Sequence, residues 1–420
     1  MTVYGVPAAR TVRGGVIYRA AWVCPIVAPP IENGWIAVRG GRIEVVGGPA
    51  QKPAFELVQD LGHVAVLPGL VNAHTHLELS WLRGRIPPAA EFIDWIKQLV
   101  LTRQRRLKPS DDPAVVHEAR TAAAEARQAG TIAVGDVANS LASISALRDS
   151  ELHGLVFHEL LGFNETDGRL VDASRDERLQ AMADGDGRVR ISIAPHAPYS
   201  VSAELFRAIR AEVNRSSVPI TSIHVGESVS EMQLLRDGSG PWPGMLRMIG
   251  VFRPDWCAPG VGPVEYLEGL GMLDDRTLVV HGVQLDDASL RRLAAIGCTL
   301  VTCPRSNQWV GVGVPPVGRF YEAGVAVAVG TDSLASVEDL NLFSELKTMR
   351  WLAPAVSARR LLESATLTGA RALGFDSDFG SIEPGKRAEL IAVELPRDVE
   401  DVEEHLLSGI DPRRVRWLGA

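Results

Sequence analysis

The chain has 420 residues, 46% of them hydrophobic and 22% charged, and its 43 basic against 51 acidic side chains leave a net charge of −8. Apolar content at this level builds a large core and excludes a disordered chain. The acidic excess argues against nucleic acid as the partner, because phosphate binding needs a basic surface.

Residues 1–66 read as β-structure: "GWIAVRGGRIEVVGG" alternates apolar and polar around Gly40-Gly41, a hairpin signal. The opening segment holds no uninterrupted apolar core of signal-peptide length, and no run of 18 apolar residues occurs anywhere. A soluble, cytoplasmic protein with no membrane partner is expected. The four cysteines, Cys24, Cys257, Cys298 and Cys303, form no Cys-x-x-Cys and read as reduced, buried thiols.

From residue 67 onward, short apolar runs ending in polar residues alternate with helix-like stretches. Eight such runs occur: "VAVLPGLVNAH" to His74, "TIAVGD" to Asp136, "GLVFHEL" around His158, "VRISIAPH" to His196, "PITSIH" to His224, "TLVVH" to His281, "TLVTC" to Cys303 and "VAVAVGTD" to Asp332. Between them lie segments such as "DDPAVVHEARTAAAEARQAG", with an Asp-Asp-Pro start and a Gly130 stop. Continuous apolar strands alternating with helices imply a parallel sheet, and eight units imply a (β/α)8 TIM-like barrel. A doubly wound sheet would want a Gly-rich phosphate loop after its first strand, and the sequence has none there. "GSIEPGKRAELIAVEL" returns to β-character near the C-terminus. The expected architecture is therefore a barrel over 67–377, with a small β-sandwich built from 1–66 plus 378–420. Two insertions, 77–112 and 228–276, follow strands one and five and are expected to wall or cover a pocket.

Five of the ten histidines, His74, His76, His196, His224 and His281, fall at strand ends, and Asp332 closes strand eight. In a barrel such ends converge on one cavity. His74 and His76, at i and i+2, point the same way, so both can hold one ion; His224 and Asp332 complete an N3O set. That mix suits Zn²⁺, with Fe²⁺ or Mn²⁺ also suited. Glu227, three residues past His224, is placed to face the ion without binding it and to shuttle protons. His281 would steady the attacking hydroxide, and His196, further out, would touch substrate. The remaining histidines, His63, His117, His153, His158 and His405, are assigned to surface or core.

The segments "PGLVNAHTHLELS", "APHAPYS", "HVGESVSE", "VVHGV", "CPRSNQWVGVG" and "VGTDSLAS" together resemble the metal-dependent amidohydrolase superfamily, in its deaminase and chlorohydrolase branch. The resemblance covers most of the chain. It implies one divalent metal on His74, His76, His224 and Asp332, with Glu227, His281 and Asp332 catalytic. Binuclear members bridge two ions with a carboxylated lysine at strand four; here no lysine occurs between Lys108 and Lys347, so a mononuclear site is implied. The implied reaction is hydrolytic deamination of a cyclic amidine.

"HTHLELS" followed by "EFIDWIKQL" is similar to adenosine-type deaminases acting on 6-aminodeoxyfutalosine, an intermediate of a menaquinone pathway. On that reading Trp81, Phe92 or Trp95 stacks on the substrate. Arg83, Arg85 or the basic run 103–108 could meet an acidic substituent. Another purine or S-adenosylhomocysteine deaminase, a triazine-type chloro- or aminohydrolase, and a catalytically dead scaffold stay open. The last is disfavoured because every metal and proton-transfer position is filled. A small molecule is the expected partner and a homodimer the expected assembly.

Overall fold

A computed structural model describes residues 12–50, 55–104, 112–182 and 187–419. All eight expected core strands are present: β1 (Leu70–Thr75), β2 (Thr131–Ala138), β3 (His153–Leu160), β4 (Val189–Pro195), β5 (Thr221–Val225), β6 (Thr277–His281), β7 (Thr299–Thr302) and β8 (Ala326–Val329). Their pairing is parallel throughout, and their residues are almost all buried, as parallel strands covered on both faces must be.

The hydrogen-bonded ladder is not one continuous cylinder. It forms two four-stranded halves, ordered β4-β3-β2-β1 and β5-β6-β7-β8. At the β4–β5 seam the His224 N–H donates to the His196 carbonyl at 3.0 Å. At the β8–β1 seam the N–H groups of Thr331 and Asp332 both donate to the His74 carbonyl at 3.1 Å. The expected closed barrel is thus two half-barrels joined by these backbone bonds at their C-terminal ends and, lower on the β4–β5 seam, by side-chain bonds from Ser192 to the Ile220 carbonyl at 2.6 Å and from Thr221 to the Ile193 carbonyl at 2.9 Å.

The run to His74, expected as a single strand, is two. Val64–Pro68 pairs antiparallel with Leu390–Glu394, and the chain changes partner at Gly69: its N–H bonds Glu389, while the next N–H, of Leu70, bonds Gly130. The Pro68-Gly69 dipeptide inside the run is the one mark of this partner change, a turn signal between two apolar segments. The expected hairpin is present, with Trp35–Arg39 and Arg42–Gly47 joined through Gly40 and Gly41, both at positive φ.

The terminal strands make two sheets. One contains Val12–Arg19, Trp35–Arg39, Arg42–Gly47 and Phe55–Asp60; the other contains Trp22–Val23, Ile31–Glu32, Val64–Pro68, Leu390–Glu394 and Val415–Trp417. The C-terminal segment adds strands only to the second. Tyr18, Ile36 and Ile43 from the first and Val23, Val66 and Leu390 from the second share one buried cluster. Trp417 ties this region to the helix Pro113–Gln128: its Nε1–H donates to the Arg127 carbonyl at 2.7 Å, and the Arg127 guanidinium lies 3.3 Å from its ring centre. That helix starts where expected, with Asp112 accepting the Ala114 N–H at 2.9 Å.

Two glycines let neighbours approach β1. A Cβ on Gly135 would lie 2.5 Å from the Ala73 carbonyl oxygen, and one on Gly330 would lie 2.7 Å from both Cβ and O of His74. Gly330→Ala therefore forces the β8–β1 seam apart, at a cost of roughly 1–3 kcal/mol. Gly318→Ala, whose added Cβ meets nothing within 4 Å, should be near neutral, and urea titration of both variants reads the difference. Equal midpoints for the two variants would contradict this account of the seam.

Candidate metal centre and active site

The seam bonds place the ligand side chains. His74 is the penultimate residue of β1 and His76 directly follows the strand; His224 lies on β5, His281 is the last residue of β6, and Asp332 follows β8. Ligand nitrogens of His74, His76 and His224 lie within 4.8 Å of one another, and so do those of His74 and His281 with a carboxylate oxygen of Asp332. Asp332 Oδ1 is 3.6 Å from His76 Nε2 and 3.9 Å from His74 Nε2. The sequence-expected set is therefore brought to one point.

Second contacts orient these groups. The His224 Nδ1–H donates to the His196 carbonyl at 2.9 Å, the same oxygen that takes the His224 backbone N–H, which leaves Nε2 as the free lone pair. Ser306 donates its hydroxyl to Asp332 Oδ2 at 2.6 Å, and the Ser333 N–H donates to Oδ1 at 2.8 Å. Asn307 bonds His281 Nδ1 at 3.0 Å, so His281 Nε2 faces Glu227 Oε1, 3.5 Å away. His281 and Asp332 both hold positive φ, 77° and 61°, a strained conformation for residues with a Cβ and one that clusters at functional sites.

A divalent ion fits this donor set. His74 is fully buried, yet among the described residues neither of its ring nitrogens has a hydrogen-bond partner. An unpaired buried imidazole is costly, and an ion among three imidazoles and a carboxylate removes that cost.

Burial also sets the protonation states. It holds His74 well below its ordinary value, aided by the surrounding imidazoles, and lowers His196 and His224 to about 3 and His281 to about 4. Burial drives Glu227 in the opposite direction, well above the carboxylate range, and the charges of Asp332 and Glu231 push the same way. In Asp332 burial works upward, but His76, His281, the Ser306 hydroxyl and His224 outweigh it, so its carboxyl lies below the usual range. One carboxyl is thus held protonated beside another held ionised, the division that acid–base catalysis needs.

Three carboxylates at the mouth escaped the sequence reading. Asp136 accepts the Leu77 N–H at 2.7 Å and so holds the chain just past His76; burial pushes it up to about 7. Glu159 accepts from the Asn139 amide at 2.9 Å, and its Oε1 lies 3.6 Å from His224 Nδ1. Glu231 accepts backbone N–H groups beside Glu227. Ser306 and Asn307 lie in the segment "CPRSNQWVGVG", where residue type alone assigns them no role. A signal existed for Glu231, the Ser-x-x-Glu of a helix start, and for Asp136, a carboxylate closing the apolar run "TIAVGD" two residues before its strand ends.

The first insertion folds as a short 3₁₀ turn, Leu77–Leu82, and the helix Phe92–Gln104; the second contains the helices Val229–Asp237, Trp242–Met248 and Pro263–Gly269. Trp81, Phe92 and Trp95 are buried together with Tyr199 and Trp242 in one apolar cluster. Tyr199 stacks on Trp242, with ring centres 4.1 Å apart, and meets His196 edge-on at 5.5 Å, so the cluster abuts the histidine group. His196 bonds Ser200 through Nδ1 at 2.6 Å. Arg83 is engaged by Glu125 in a two-pronged pair at 3.1 and 2.5 Å, and Arg85 lies over Trp81. Of the basic run, Arg103 approaches Asn139, and residues 105–108 fall outside the described residues. His158 is held by Ser174 and by the Asn139 carbonyl. Cys24, Cys298 and Cys303 are buried as expected, whereas Cys257, in the second insertion, is exposed.

Comparison with known proteins places the chain in a family. The amidohydrolase family pattern matches residues 65–413, and the chain belongs to that family. A 5-methylthioadenosine/S-adenosylhomocysteine deaminase of Moorella thermoacetica is 28% identical, over 92% of this chain and 89% of its own length. An adenosine deaminase of Xanthomonas campestris, solved with bound zinc, superposes with a TM-score of 0.78 at 28% identity, over 95% of this chain and 90% of that one. The aminofutalosine deaminase of Helicobacter pylori, in complex with methylthio-coformycin, superposes with a TM-score of 0.82 at 24% identity, over 96% and 97%. The chain is an aminohydrolase of this family, whose fold is the TIM-barrel type.

Below pH about 6.5 the unfolded chain binds protons that the buried rings of His196, His224 and His281 refuse, so the histidines' contribution to stability falls with pH until the folded values near 3–4 are passed. The raised carboxyls of Glu227, Asp136, Glu231 and Glu345 act in the opposite direction over the same range, so the rings themselves are the readout. In the metal-free protein His196, His224 and His281 should stay neutral at pH 5 by NMR, and added zinc should raise the urea midpoint by mass action. Protonated rings at pH 5 would contradict their assignment as neutral.

Proposed function

We propose that the chain catalyses hydrolytic deamination of an adenine-type nucleoside, with 6-aminodeoxyfutalosine the favoured substrate, and that Zn²⁺ is the ion used. The observation that carries this reading is Glu227, buried and held protonated 3.5 Å from His281 at the edge of the His/Asp cluster. A protonated carboxyl there suits one task, donating a proton to a ring nitrogen so that the adjacent carbon accepts a nucleophile.

His74, His76, His224 and Asp332 would hold the ion. When bound it supplies Lewis acidity, lowering the pKa of a water toward about 7. Asp332 accepts the proton of the attacking water, its ionised form favoured by the imidazoles around it and by Ser306. His281, its ring oriented by Asn307, presents Nε2 to the developing oxyanion. Glu227 protonates the ring nitrogen. The tetrahedral carbon then collapses: its amino group takes the proton held by Asp332 and leaves as ammonia, while the new hydroxyl returns its proton to the Glu227 carboxylate, giving the carbonyl product and restoring the acid. Each such transfer contributes about 10²–10⁴ in rate.

For the substrate, the segments "HTHLELS" and "EFIDWIKQL" support an aminodeoxyfutalosine-type nucleoside and hence a place in menaquinone synthesis. The apolar cluster of Trp81, Phe92 and Trp95, which reaches His196 through Tyr199, supports a flat ring bound at that edge. Zinc-loaded protein should release ammonia from 6-aminodeoxyfutalosine far faster than from adenosine, 5-methylthioadenosine, S-adenosylhomocysteine or guanine. Equal rates on all five would defeat the substrate assignment and leave the deaminase reading standing. Glu227→Gln should keep its zinc and lose at least about 10² in kcat. In the wild type kcat should fall as pH rises through the raised pKa of Glu227, since only the protonated form donates. Undiminished turnover in the variant would remove the acid role.

A further inference from the structure

We infer that Glu231 is a positioning residue for Glu227: its buried carboxylate clamps the backbone on which the proton donor stands. The inference rests on the assignment of Glu227 as the acid. Glu231 is fully buried, and its two oxygens accept the backbone N–H groups of Gly226 at 2.9 Å and Glu227 at 3.0 Å.

The local sequence makes this an unusual use of a familiar part. Ser228 caps the helix Val229–Asp237 and accepts the Glu231 N–H at 3.3 Å, so Glu231 occupies the third helical position. In the ordinary capping box that carboxylate returns to the N–H of the cap residue itself. Here it reaches past Ser228 to the two residues before it. Burying a carboxylate is expensive, and helix capping alone would not need a fully buried one.

The other side of the segment is held by the loop after β6. The Gly282 N–H donates to the Val225 carbonyl at 3.0 Å and the Gln284 N–H to the Gly226 carbonyl at 2.7 Å. Gly226 has φ of 60°, and a Cβ there would come within 2.5 Å of the Leu285 side chain. Residues 225–227 are therefore gripped between Glu231 and the chain that follows His281. The grip sets the distance between the Glu227 carboxyl and the His281 ring.

The test uses the zinc-loaded enzyme with Glu231→Gln and Glu231→Ala, the isosteric glutamine serving where the alanine variant does not fold. Loss of an N–H acceptor lets the donor drift, and a misplacement near 1 Å costs up to about 10² in rate. Glu231→Gln should lower kcat by about tenfold to a hundredfold, with KM and zinc content nearly unchanged. In a Glu227→Gln background the same change should alter the residual kcat by less than about twofold, because the group it positions is already disabled. Wild-type kcat in Glu231→Gln, or losses that multiply fully in the double variant, would overturn the inference and reduce Glu231 to a helix anchor. Wild-type turnover in Glu227→Gln alone would instead overturn the acid assignment beneath it.

Discussion

Two carbonyl oxygens, those of His74 and His196, tie the two half-barrels at their C-terminal ends, alongside the side-chain bonds of Asn72, Thr75, Ser192 and Thr221, and build the site in the same act. Each accepts two donors across a seam: Thr331 and Asp332 N–H at His74, and the backbone and ring N–H of His224 at His196. The bonds that bring β8 to β1 and β5 to β4 therefore also deliver Asp332 beside His74 and fix the tautomer of His224. Metal geometry and fold closure are one constraint. Gly330, pressed against His74 with no room for a Cβ, is the sequence-level mark of that closeness.

Around this point the protein crowds carboxyl groups into a nearly dry mouth. Asp136, Glu159, Glu227, Glu231 and Asp332 are all buried. Burial pushes Asp136, Glu227, Glu231 and Asp332 toward the neutral form, and their partners separate their roles. Imidazoles and hydroxyl or amide donors keep Asp332 ionised, while Glu227 meets like charge and stays protonated. Asp136 and Glu231 are spent on backbone N–H groups, steadying the segments just after His76 and just before Glu227. Positive φ at His281 and Asp332 belongs to the same pattern: local strain is tolerated where the surrounding bonds over-determine the geometry.

Much of this was legible from one dimension because barrel strands are periodic and their ends converge. The eight strands, the hairpin at Gly40-Gly41 and the capped helix after Asp112 all follow from apolar runs, turn residues and a side-chain oxygen before a helix. Other features left no periodic trace. The change of partner at Gly69 is marked only by the Pro68-Gly69 dipeptide, a single breaker with no period. The exposure of Cys257 depends on how the second insertion folds over the mouth.

What the sequence by itself determined is chemistry that lies in residue type and order: a His-x-His pair, two further histidines, a glutamate and an aspartate at successive strand ends, and no lysine to bridge a second ion. Tertiary structure alone decided which way each ring nitrogen faces, which carboxyl keeps its proton and which carboxylates serve as clamps. Those outcomes depend on dielectric and on hydrogen bonds between segments far apart in the chain, and both quantities exist only once the two half-barrels have met.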